Sequence, residues 1–117
     1  MSTEISMVVD AVSNEKGVER ELIFEAIEAA LAQATRRKYS EDIEVRVSIN
    51  RETGKYDTFR RWLVFADDSK DLETPDRELR MIDAVDVDEN AEPGSYVEVP
   101  IESIEFGRIA AQMAKQV

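Results

Sequence analysis

With no histidine and no cysteine among its 117 residues, the chain leaves chemistry to its arginines and its carboxylates. The absence of His removes the side chain that titrates near neutrality, and with it most zinc sites and His-dependent triads. The absence of Cys removes thiolate nucleophiles and disulfides. Asp83, Asp86, Asp88 and Glu89 form an acidic run that invites a metal. Set against the calcium-loop template, Asp86, Asp88 and Asn90 fit the first three ligand positions. Ala91 then stands where Gly is required, and Val97 where a bidentate Glu is required, so no dedicated metal site is expected. General acid–base work needs one carboxyl held in an apolar pocket, and the sequence singles out no such pair. The glycines, at 17, 54, 94 and 107, are isolated, so no phosphate-cradling loop forms. No catalytic residue and no cofactor are expected.

Two basic clusters remain, Arg36-Arg37-Lys38 and Arg60-Arg61. The first falls in the last turn of a predicted helix whose first half carries Glu19, Glu21, Glu25 and Glu28. That arrangement opposes the helix dipole at both ends and is a sufficient structural explanation. The second falls inside a predicted strand, where neighbours point to opposite faces: Arg60 with Trp62 and Val64, Arg61 with Phe59 and Leu63. Neither face is cleanly apolar, so one arginine is expected at a sheet edge or lying over the core. Basic residues interleaved with aromatics also track phosphate backbones, and both readings stay open on the pattern alone.

The net charge of −11 is concentrated in Asp67 to Glu105, which holds 14 acidic and 3 basic side chains. Overall repulsion opposes binding of free nucleic acid, while the near-neutral remainder leaves room for a local basic face. The acidic segment itself reads as a solvated surface.

Positioning these groups requires both periodicities. Ile5, Val8, Val9 and Val12 recur at helical spacing, with Ser2 or Thr3 as cap and Gly17 as stop. A second helix is predicted from about Glu19 to Arg37, its stripe being Leu22, Ile23, Ala26, Ile27, Ala30, Leu31 and Ala34. The period then changes to two. Ile43, Val45, Val47 and Ile49 alternate with polar residues, and a hairpin loop with Gly54 leads to a return strand over Tyr56–Ala66. A short strand at Glu78–Met81, a helical turn at Ile82–Val87 and a strand around Tyr96–Val99 follow. Phe106, Ile109, Ala110, Met113 and Val117 give a closing helix with no stop signal, the mark of a piece of a longer protein. The expectation is one α+β domain over residues 1–117: a helical hairpin plus an antiparallel sheet, closed by a C-terminal helix. No secretory signal and no membrane span is visible, which points to a cytoplasmic protein.

Several runs resemble the N-terminal domain family of the bacterial transcription factor NusA. They are Val12-Ser13-Asn14-Glu15-Lys16, Ile23-Phe24-Glu25-Ala26, Arg37-Lys38-Tyr39 and Asp57-Thr58-Phe59-Arg60-Arg61-Trp62-Leu63-Val64. The last part, Ile101-Glu102-Ser103-Ile104-Glu105-Phe106-Gly107-Arg108-Ile109 with Gln112 and Ala114-Lys115-Gln116, is similar to the start of that family's connecting helix. Gly107 stands there in place of a polar residue, and Asp67–Asn90 shows little match. The resemblance implies an RNA-polymerase-binding domain that docks on the flap tip of the β subunit beside the RNA exit channel. It would modulate pausing, termination and antitermination as a monomer, apart from any membrane. It implies that Arg36, Arg37, Lys38, Arg60, Arg61 and Arg108 form a basic face toward nascent RNA, touched weakly and only in the complex. The family's RNA-binding modules would lie beyond this chain. The alternative is a free-standing RNA-binding or ribosome-associated α+β protein; an enzyme ranks third, needing a metal on the acidic segment.

Overall fold

A dipole-matched helix opens the chain. Glu4 and Lys16 sit at the positive and negative ends of α1 (Glu4–Lys16). Gly17, at φ +65°, takes the left-handed geometry that ends it, and its N–H reaches the Ser13 carbonyl at 3.0 Å. The turn into α2 (Arg20–Arg37) is braced by the Ser13 hydroxyl donating to the Val18 carbonyl and by an Asp10–Arg20 ion pair. These coordinates are a computed structural model that describes residues 4–107.

The two helices form the expected hairpin, with a buried face that differs from the predicted stripe. Ile23, Phe24, Ile27, Leu31, Ala32 and Thr35 are buried, whereas Leu22 is exposed. Phe24 rather than Leu22 turns inward. Thr35 is accommodated because its hydroxyl donates to the Leu31 carbonyl at 2.7 Å.

After α2 come β1 (Glu44–Ile49), β2 (Tyr56–Phe65), a 3₁₀ turn at Pro75–Arg77, β3 (Glu78–Arg80), α3 (Met81–Val87) and β4 (Tyr96–Ile101). β1 and β2 are an antiparallel hairpin, registered from Glu44↔Arg61 to Ile49↔Tyr56. Its loop closes through Asn50, whose side-chain oxygen accepts the N–H groups of Glu52 and Thr53, and through Gly54 at φ +74°. β4 lies antiparallel along the other edge of β2, from Thr58↔Ile101 to Leu63↔Tyr96. β3 runs parallel to β2, Leu63↔Glu78 to Phe65↔Arg80, beyond the end of β1. The sheet is therefore mixed, which corrects the purely antiparallel expectation. The 66–77 connection has the length of about a dozen residues that a parallel crossover requires.

One face of the sheet carries two cores. In the larger, Ile5, Val9, Ile23, Phe24, Ile27 and Leu31 pack on Ile43, Val45, Val47 and Ile49. In the smaller, Val64, Ala84, Ala91 and Val97 meet half-buried Trp62, Leu79 and Met81. Trp62 thus belongs to the smaller core, which α3 covers through Ala84. The Tyr56 hydroxyl donates to the Ile104 carbonyl at 2.5 Å, and Thr58 and Ser103 share a hydroxyl bond at 2.8 Å. These bonds lead buried Phe106 into the larger core. The closing helix beyond residue 107 and the Ser2/Thr3 cap fall outside the described residues.

Candidate functional site

The central strand separates the arginine pair as a period of two demands. Arg60 lies on the helix-covered face at the junction of the two cores. Its guanidinium sits 4.6 Å over the Trp62 ring, and Nη2 donates to the Asp76 carbonyl at 3.0 Å. Arg61 is on the opposite face, 3.5 Å over the Tyr96 ring and 3.9 Å from the Glu98 carboxylate. Stacking on an aromatic face buries the guanidinium plane while its edge keeps hydrogen-bond partners. In each arginine Nε is buried without a hydrogen-bond partner among the described residues. Neither is a freely swinging cation.

The Arg61 face carries no helix among the described residues. Arg46 forks onto Glu98 there, Nε and Nη2 donating at 2.6 and 3.0 Å, and lies 4.7 Å over the Phe59 ring. The hydrogen bonds from Arg46 hold the Glu98 carboxyl below the usual carboxylate range and in turn raise Arg46. Glu98 therefore sits between two arginines and neutralises part of this face.

At the C-terminal end of α2 the balance is different. Arg36 is 3.6 Å from Glu44, which lies opposite Arg61 in the hairpin register. Arg37 and Lys38 are exposed and form no ion pair among the described residues. Of the sequence-predicted set, Arg36 and Arg61 thus share one neighbour, Arg37 and Lys38 stand open in solvent beside them, and Arg60 turns to the other face. Arg108 falls outside the described residues.

Pattern reasoning missed the Arg46–Glu98 fork and a second clamp. Arg51, in the hairpin loop, pairs with Glu21 at 2.8 Å and Glu28 at 2.9 Å and lies 4.8 Å over Phe24. Those bonds lower the Glu21 carboxyl and tie the hairpin to α2. An opposite-charge signal was present for both, but it acts only once pairing and packing are known.

The acidic segment is more than a solvated surface, because several carboxylates hold backbone N–H groups in its loops. Asp67 accepts from Ile82, Asp76 from Asp42, and Glu78 from Glu73 and Thr74. In the failed calcium pattern, Asp88 accepts the Asn90 N–H at 2.9 Å, an Asx turn. Among the described residues no three carboxylates converge to hold a metal ion.

The family model of the NusA N-terminal domain matches residues 4–117. The chain is similar to the transcription termination/antitermination protein NusA of Bacillus subtilis (strain 168), 38% identical over 121 residues. The NusA of Halalkalibacterium halodurans is 36% identical over 117 residues. Each alignment takes in 100% of this chain and 30% of the relative, so the chain spans about a third of the length of these proteins. The solution structure of the N-terminal domain of NusA from B. subtilis has a similar fold, with a TM-score of 0.68 and 37% identity over 99% of this chain and 90% of that one.

Proposed function

This chain belongs to the NusA N-terminal domain family, and from that premise we propose that it is a non-catalytic module that docks on RNA polymerase. In this reading it binds the flap tip of the β subunit at the RNA exit channel and modulates pausing, termination and antitermination. It acts in the cytoplasm as a monomer, without a cofactor and away from membranes. The observation that carries the RNA-facing role is the end of α2, where Arg37 and Lys38 stand exposed with no ion pair among the described residues. Arg36 and Arg61 extend that patch, the family resemblance adds Arg108, and Arg60 lies on the covered face, outside the patch. A net charge of −11 makes contact with RNA weak in isolation. Polymerase supplies the effective concentration at which a few phosphate contacts count.

The test is a pull-down of purified core polymerase, with and without its flap tip. Retention of the intact enzyme and loss of the truncated one is the expected result; equal retention of both overturns the flap-tip assignment. The competing reading, a free-standing RNA-binding or ribosome-associated protein, has the Arg46, Phe59, Arg61 and Tyr96 face in its favour. Glu98 counters it by neutralising part of the charge of those arginines. Tight RNA binding by the domain alone at ~0.15 M salt would replace the tethered reading with this one.

A further inference from the structure

The short helix α3 carries side chains that neither packing nor helix propensity explains. Ala84 is fully buried and Met81 half-buried, so they anchor the helix to the smaller core. Ile82 is 67% exposed, Val85 42% and Val87 37%. Isolated exposed aliphatics are ordinary on protein surfaces, but three β-branched ones within six residues of one short helix are not. β-branched residues are indifferent helix formers, and polar residues at these positions would serve the helix as well. Ile82 lies three residues from Val85 and four from Asp86, so these share one face of the helix, with Val87 on its flank.

The surroundings give that patch a sign. Asp83, Asp86 and Glu89 form no ion pair among the described residues. Of the cations that precede α3 in the chain, Arg80 donates to the Asp67 and Ser69 carbonyls at 2.7 and 2.8 Å and Arg77 is 3.8 Å from Asp42, which leaves Lys70 against the excess of carboxylates. The patch is also held still. The Ile82 N–H is fixed by the Asp67 carboxylate at 2.9 Å, and the Asp88 N–H by the Ala84 carbonyl at 2.9 Å, so little ordering remains for binding. Phosphates and anionic lipid are repelled by such a rim. What complements an aliphatic centre inside a carboxylate frame is a polypeptide segment with apolar anchors and flanking Lys or Arg.

We propose that the α3 face is a protein-docking surface that seats a basic, apolar segment of RNA polymerase. This rests on the polymerase-docking reading and assigns it a surface. The carboxylate rim steers the encounter, and Ile82 and Val85 supply the anchors.

Two variants of this chain, Ile82→Ser/Val85→Ser and Asp83→Lys/Asp86→Lys, test the assignment with a photocrosslinker placed at position 87 of the parent. Affinity for core polymerase is measured at two salt concentrations, with melting curves alongside. The serine pair, which removes both anchors, is expected to bind at least about tenfold more weakly. The lysine pair is expected to bind more weakly and to lose the salt dependence of the parent. The crosslink is expected on a polymerase segment that combines aliphatic and basic side chains. Parental affinity in both variants, or a crosslink to RNA or to an acidic segment, overturns the proposal and leaves polymerase docking intact. A parent chain that does not bind polymerase removes the docking reading and this surface with it. Should the serine pair melt early, the lysine pair alone decides, since both aspartates are exposed.

Discussion

The two cores under the same sheet face are built to different standards. The larger closes around long aliphatics and Phe24 from two helices, with Phe24, Ile27 and Leu31 almost wholly sealed. The smaller rests on Val64, Ala84, Ala91 and Val97, and its largest side chain, Trp62, is only half-buried. Its shortfall in apolar volume is made up with polar bonds. Arg60 lies over Trp62, Asp67 caps α3, Arg80 gathers loop carbonyls, and Glu78 holds the loop before β3. A region held in this way keeps little apolar material inside and displays the rest, as Ile82 and Val85 do. Burial sets stability in one lobe, and hydrogen-bonded charge sets shape in the other.

The largest effect that bears on this contrast is a truncation in the first core. Leu31→Ala is expected to cost about 3–4 kcal/mol in denaturant unfolding, in the range of buried leucine truncations. Trp62→Ala is expected to cost less, about 2 kcal/mol, because a half-exposed ring returns less area to water. If the tryptophan variant proves the more damaged, the ranking of the two lobes is reversed.

The arginine pair sharpens the comparison further. Arg60→Glu places a carboxylate between the cores, against Trp62 and the Asp76 carbonyl, and should lower the melting temperature sharply. Arg61→Glu loses a stacking contact on the open face and meets Glu98, a smaller loss read in the same melt. Equal shifts would show that the covered face discriminates no better than the open one.

A pH dependence follows from Glu98. Its folded value is lowered by the Arg46 hydrogen bonds, so its contribution to stability is present above the ordinary carboxylate value of about 4.3. That contribution is lost as pH falls through the lower, folded value. Glu98→Gln should therefore lower the urea midpoint by a constant amount in the neutral region and flatten its acid limb, parent and variant converging as pH falls. The smallest expected effect is at the end of α2. Arg37→Glu/Lys38→Glu should cost no more than about 1 kcal/mol, the scale of charge reversal at an exposed helix end, yet weaken pause enhancement in a transcription assay.

How far the sequence disclosed this arrangement depended on the range of the interaction. The helical hairpin, the β1–β2 turn and the opposite facing of Arg60 and Arg61 follow from periods of 3.6 and 2 and from Gly17 and Gly54, all of which are local. β3 has three residues, too few for a period, so its parallel direction was set by the crossover and was not visible. Arg46 and Glu98 are separated by 52 positions and meet only because β1 and β4 flank β2. Leu22 looked buried because helical spacing defines a stripe but not which flank of it the sheet covers. The NusA family resemblance reached the same domain through its motifs, and the family match over residues 4–117 confirms it.

From Thr58 to Arg61 and again at Leu63, β2 has a paired neighbour on both edges, β1 and then β3 on one side and β4 on the other. This strand is the beam on which both lobes are mounted. A pull applied to α3 reaches α2 through main-chain bonds loaded along the strand, a direction in which the whole ladder must slip together. The slowest-exchanging amides are accordingly expected in the middle of β2, where both edges of the strand are paired.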